Sequence, residues 1–325
     1  MKKFLNIFVI SFALVFSTST FANKIGVIYD SGGKFDKSFN ELAYNTAVRV
    51  QNELGWDMIE FEAANNTQIE QGMRKVADRG ATLVVAMGFA QADAVAAIAP
   101  QYPDVNFVAV DVCWVDDPAG NIYQACYLEH EGSFLVGVIA AMPSKTGTIG
   151  FVGGMDIPLI RKFQGGYEQG ALHANPNIKI LANMTGTTPE AWNNPTKGAE
   201  LTKAQIDGGA DVVYQAAGGT GIGVLQAAAD AGIMGIGVDT NQNWMHPGSM
   251  LTSMLKRLDL TIFEQAEKTA AGTFEPGINI LGLAQGMVGY ATEDGMVTDD
   301  MVAAVEAAAA EIKSGSLSVA DWSQE

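Results

Sequence analysis

The residues best placed for chemistry sit where apolar runs end. Asp30 and the loop DSGGKFDKSFNE (30–41) follow KIGVIY; Gly88 and Phe89 follow LVVAM; Asp111 follows FVAV. Further along, Gly153-Gly154-Met155-Asp156, the segment TGTTPEAWNNP with Trp192, and the run AAGGTGIG occupy equivalent places. Asp239-Thr240-Asn241 and Met254-Leu255-Lys256-Arg257 complete the series. The set is rich in carboxylates and aromatics and holds one well-placed lysine. Carboxylates accept hydrogen bonds from N–H and O–H groups, and aromatic faces stack on flat rings. No nucleophile is paired with a histidine base. AAGGTGIG follows a strand and opens a helix, but it lacks a GK[ST] ending and G-x-G-x-x-G spacing, so it does not read as a phosphate loop. Gly218 and Gly219 would instead let the backbone come close to a ligand. His130, His173 and His246 lie far apart and make no ligand-spaced metal cluster, and no cofactor is expected. The acidic runs EHEGSF and Asp116-Asp117 read as solvated loop or helix starts.

Regularly alternating elements must position these residues. Strand-like runs cover 24–30, 57–62, 82–87, 106–111 and 121–127, then 147–152, 178–184, 211–216, 234–239 and 250–254. Helical patterns fall between most of them, at 66–80, 90–100, 129–142, 156–174, 195–208 and 221–232, and an Ala-rich helix spans 300–313. The strands are continuous apolar runs, as expected when a parallel sheet is covered on both faces. Repeated strand-helix units predict α/β architecture with doubly wound, mainly parallel sheets, and two series predict two lobes. Short joins are expected near 128, 252 and 280. They divide the chain into 23–128 plus about 253–280, and 129–252 plus about 281–325, with a ligand cleft between lobes that close by hinge motion. Ligands gather at the carboxyl ends of such strands.

Met1-Lys2-Lys3, an apolar run from Phe4 to Phe16, and small residues up to Ala22 predict a signal peptide cleaved after Ala22. The run is about 13 residues, short of the roughly 20 a membrane span needs. A periplasmic location is therefore expected, where a Cys113–Cys126 disulfide and two free thiols are both open readings. The formal charge of −17 becomes −19 without Lys2 and Lys3. Such a chain repels nucleic acid and anionic membranes.

The stretches GGKFDKSFNE, EHEGSFLVGVIAA, GFVGGMDIPLIRKFQGGYEQG, QIDGGADVVYQAAGGTGIGVLQAA, IGVDTNQ and TSMLKRLD resemble the BMP (basic membrane protein) family of solute-binding proteins. That family includes purine-nucleoside receptors of ABC importers. The resemblance implies a type I periplasmic-binding fold, acting as a monomer with ABC permease subunits as partners. The chain departs from many members in having no lipid-bearing cysteine. It also reads Asp239-Thr240-Asn241-Gln242 where D-x-D-Q is usual.

The resemblance implies roles residue by residue. Phe39, in the S-F-N element, would stack on one face of a purine. Trp192 would supply the other face, with Phe163 as competitor. Asp111 and Asn40 would bind the base edge, and Asp239 with Lys256 the ribose. Read from the residues themselves, Asp30 would contact ligand or orient its loop, Gly219 would approach the sugar, and Phe35 would pack within the loop. The expected function is capture of guanosine, inosine or adenosine without chemistry. The alternative is a receptor for another flat or sugar-like ligand, with or without a signalling role. A nucleoside hydrolase is the third reading, but only Asp30 and Asp36 follow the first strand, without a D-x-D-x-x-x-D-D element.

Overall fold

The computed structural model describes residues 22–63 and 65–324. Apart from Ala22, the expected signal peptide lies outside the described residues. Two six-stranded sheets form the frame. The first holds β1 (Lys24–Tyr29), β2 (Asp57–Glu62), β3 (Leu83–Met87), β4 (Asn106–Val110), β5 (Ile122–Tyr127) and β11 (Gly277–Leu281), in the order β11-β5-β4-β3-β1-β2. The second holds β6 (Thr148–Met155), β7 (Lys179–Gly186), β8 (Val212–Ala216), β9 (Met234–Gly237), β10 (Met250–Lys256) and β12 (Val288–Tyr290), in the order β12-β10-β9-β8-β6-β7. All described pairings are parallel except β10 with β12. The central strands β3, β5 and β8 are buried throughout, as the apolar runs require, whereas edge strand β2 is largely exposed.

Helices α1 (Phe39–Leu54), α2 (Asn66–Asp78) and α3 (Ala92–Ile98) accompany the first sheet. Helices α4 (Glu129–Ala141), α5 (Pro158–Ala174), α6 (Pro195–Asp207) and α7 (Gly221–Asp230) accompany the second. Every residue of α4 except Glu131 is buried. Helices α4 and α5 meet backbone to backbone: a Cβ on Gly137 would strike Tyr167, and one on Gly166 or Gly170 would strike His130 or Phe134.

Helix α8 (Leu258–Ala271) returns to the first sheet beside α1, where the Arg49 guanidinium lies 3.6 Å from the Phe263 ring centroid. Helix α9 (Asp299–Ser314) packs on α4. The chain passes between sheets at Leu128, Arg257 and Gly282. The join expected near 252 therefore falls inside a strand. LTSML carries no breaker and goes on pairing with β9 and β12 until Lys256. Strands β11 and β12 were not foreseen: they are short, and β11 exposes Ile278 and Ile280 instead of forming a continuous buried run. Cys113 and Cys126 form a disulfide across the β4–β5 loop, with Cα atoms 5.6 Å apart.

Candidate functional site

Both sheets place their first strand beside their third, with the second outside, so each has a switch point where successive connections diverge. The ends of β1 and β3 supply Asp30, Gly88 and Phe89 to one slot. The end of β8 and the loop after it supply Ala216, Ala217 and Gly218 to the same slot. It encloses about 540 Å³ of space free of protein atoms, counting its opening.

The loop after β1 is built around two carboxylates. Asp36 accepts hydrogen bonds from the N–H groups of Ser38, Asn40 and Glu41 at 2.9–3.1 Å. It thereby satisfies donors left unpaired at the start of α1. Asp30 Oδ1 accepts from Gly32 N at 2.8 Å and Asn40 Nδ2 at 2.6 Å. Phe39, the first residue of α1, consequently lines the slot. Phe35 packs edge-on against Tyr44, with centroids 5.5 Å apart, and takes no part in the lining.

The two lobes are bonded across the slot. Ser38 Oγ donates to Asp239 Oδ2 at 2.6 Å, and Gln242 Nε2 donates to Lys37 O at 2.9 Å. Gln242 is itself held, its Oε1 accepting from Val238 N and Gln215 Nε2. Lys37, Asp111 and Asp239 have φ of 62–66°. That conformation is uncommon for residues other than glycine and tends to collect at functional sites.

Charge is concentrated. Asp30, Asp36, Asp111 and Asp239 line the slot with Lys256. Lys256, only 1% exposed, places Nζ 2.6 Å from Asp111 Oδ1 and 3.0 Å from Glu129 Oε1. Burial opposes its charge, but Asp111, Glu129 and Asp239 outweigh that and raise its pKa. Burial raises Asp111 and Asp239 despite Lys256, and raises Asp30 despite its Asn40 and Gly32 donors. Asp36 is pushed up to about 7 by burial, against its three backbone donors.

Four apolar rings, Phe39, Phe89, Phe163 and Trp192, complete the walls. Phe39 and Phe163 have centroids 5.3 and 5.7 Å from Lys256 Nζ. Trp192 lies against Gly154, where any side chain would collide with the indole. Apolar walls, acidic acceptors and a single lysine suit a flat, uncharged ligand rich in N–H and O–H donors, and they disfavour anions.

Six of the eight expected residues meet here: Asp30, Phe39, Asp111, Trp192, Asp239 and Lys256. Asn40 does not line the slot. It is fully buried, with Oδ1 accepting from Asp30 N and Nδ2 shared between Asp30 and Asp36, so it orients the loop. Gly219 is also withdrawn, packed against the carbonyls of Trp192 and Gly32, and Gly218 takes the lining position. Trp192 and Phe163 both line the slot, although they were read as competitors. Asp36 and Glu129 were missed. Glu129 is 1% exposed, not solvated; its place directly behind β5 was the available signal.

The model of the family described as "ABC transporter substrate-binding protein PnrA-like" matches residues 22–322. Basic membrane protein A of Borreliella burgdorferi is 32% identical over 285 residues, covering 86% of this chain and 82% of the relative. Basic membrane protein A2 of Borrelia garinii subsp. bavariensis is 33% identical, covering 84% and 81%. An ABC transporter solute-binding protein from Aeropyrum pernix superposes with a TM-score of 0.84 at 26% identity, covering 92% of this chain and 93% of the other. One from Conexibacter woesei gives 0.73 at 26% identity, covering 93% and 99%. The two mainly parallel sheets accordingly form a type I periplasmic-binding fold, and the chain belongs to the Bmp family of PnrA-like ABC transporter substrate-binding proteins.

Proposed function

We propose that the protein captures a purine nucleoside in the slot between its lobes and delivers it to an ABC permease from the periplasm. The observation that carries this reading is the combination, in one slot, of apolar rings from both lobes, Phe39 from one and Trp192 and Phe163 from the other, with four carboxylates. The base stacks between the rings, each face contributing about 1–3 kcal/mol. Asp111 accepts from the donors on the base edge, and Asp239 and Lys256 hold the ribose hydroxyls. The Ser38–Asp239 and Gln242–Lys37 bonds hold the lobes together once the ligand is enclosed. No bond of the ligand is made or broken. The 5′ end must be uncharged, because a phosphate would meet four carboxylates and one lysine already paired to two acids.

Calorimetric titration with guanosine, inosine, adenosine, free bases and pentoses tests the proposal. The expected result is saturable binding of a purine nucleoside, weakened roughly hundredfold or more by Asp111→Ala through loss of charge-assisted hydrogen bonds. Binding of pentoses or other polyols alone would replace the nucleoside reading with that of a sugar-like ligand. Release of free base during incubation would identify a hydrolase.

A further inference from the structure

A second, wider cavity lies beside the slot. Phe89, Asp111 and Leu159 line both. Beyond them the second cavity is bounded by the Cys113–Cys126 disulfide, Trp114, Ile157, Pro158 and Ile280, and it holds about 1240 Å³ free of protein atoms, counting its opening. The walls are mainly apolar, while Lys162, paired at 3.4 Å with Glu129, lies at the polar side.

Trp114 is the informative residue. It is 62% exposed, a large apolar surface left in water. An indole on a loose loop could lie down on neighbouring apolar groups. This loop is pinned instead. The disulfide closes it. Asp117 accepts from the N–H groups of Gly120, Asn121 and Ile122. The Gln124 side chain bonds Val115 N at 3.0 Å and Val115 O at 2.7 Å. A pinned loop presents Trp114 from a fixed backbone, which lowers the ordering cost of binding a partner.

We propose that this cavity is a second subsite that takes an apolar or aromatic substituent on the exocyclic amine of the bound purine. The inference rests on the nucleoside reading of the slot. Asp111 borders both spaces, so a group carried on the base edge gripped by Asp111 has this cavity to enter. A mono-substituted amine keeps one N–H, and with it the hydrogen bond to Asp111. The substituent then lies among Trp114, Leu159 and the disulfide. The preferred cargo is accordingly an N-alkylated or N-arylated purine nucleoside.

The test is calorimetry of the full-length mature protein with two ligand pairs, adenosine against N6-benzyladenosine and guanosine against N2-benzylguanosine. At least one benzylated compound should bind about tenfold more tightly than its parent, through the added apolar burial. Trp114→Ala should remove that gain and leave the parent within about twofold, whereas Trp114→Phe should keep most of it. Equal or weaker binding of both benzylated compounds overturns the subsite while leaving the nucleoside reading standing. A Trp114→Ala loss shared equally by parent and substituted ligand also overturns it, since the indole would then serve the fold alone. If none of the four compounds binds, and inosine does not either, the nucleoside reading fails and the subsite with it.

Discussion

Replacing Lys256 with methionine tests the electrostatic account of the cleft most directly. Methionine keeps the length of the side chain and removes its charge. Lys256 is 1% exposed, and Asp111 and Asp239 are each 7% exposed, so water screens the cluster little. Without the ammonium group, Asp111 and Asp239 lose the cation that balances them, while Glu129 keeps Lys162 at 3.4 Å. Removing one partner from a buried ion pair costs about 3–5 kcal/mol, which corresponds to a fall in Tm of roughly 5–8 °C for a chain of this size. The loss must depend on pH. Asp111 and Asp239 already sit above the ordinary carboxylate range because burial raises them, and loss of Lys256 raises them further. A carboxyl raised in the folded state contributes stability that is complete below its unfolded pKa and is lost as pH rises through the folded value. The gap between wild type and Lys256→Met should therefore be widest near pH 7.5 and shrink by half or more near pH 4.5. Differential scanning calorimetry of the ligand-free proteins across that range measures it. A gap of the same size at both pH values, or one under about 1 kcal/mol at neutral pH, would refute the claim that Lys256 balances buried carboxylates.

Two further outcomes follow from the same geometry. Gly154→Ala places a methyl group in the Trp192 indole; nucleoside affinity should fall by about 1–3 kcal/mol, as for Trp192→Ala and more than for Phe163→Ala. Wild-type affinity in Gly154→Ala, measured by titration, would remove Trp192 from the slot. In the ligand-free wild type, Asp30, Asp36, Asp111 and Asp239 are all raised by burial, so Tm should fall as pH rises from about 4 to about 7. Asp36 alone, pushed up to about 7, contributes at most about 4 kcal/mol to that slope. Asp36→Asn should flatten the profile, and an unchanged profile would show that other groups set it.

Much of this molecule could be read along the chain. Continuous apolar runs announced the parallel strands, because a strand covered on both faces has no polar side. Strand ends in such sheets converge, so position placed Asp30, Asp111, Asp239 and Lys256 among the candidates before any contact was known, and the family resemblance chose Asp111, Asp239 and Lys256 from them. The half-exposed edge strands β11 and β12 gave no such run and were invisible. Asn40 shows the limit at the site: its residue type suits a base edge, but its amide is consumed by Asp30 and Asp36. Glu129 shows the converse, an acidic residue in a charged stretch that packing buries beside Lys256. Order along the chain settles which residues stand at the mouth of a sheet, since that follows from strand period and connection. Which of them meet depends on how two separately folded sheets are set against each other. Ser38 and Asp239, 201 positions apart, bond only because the lobes oppose, and the cavity beside Trp114 exists only because the disulfide loop and α5 stand apart there.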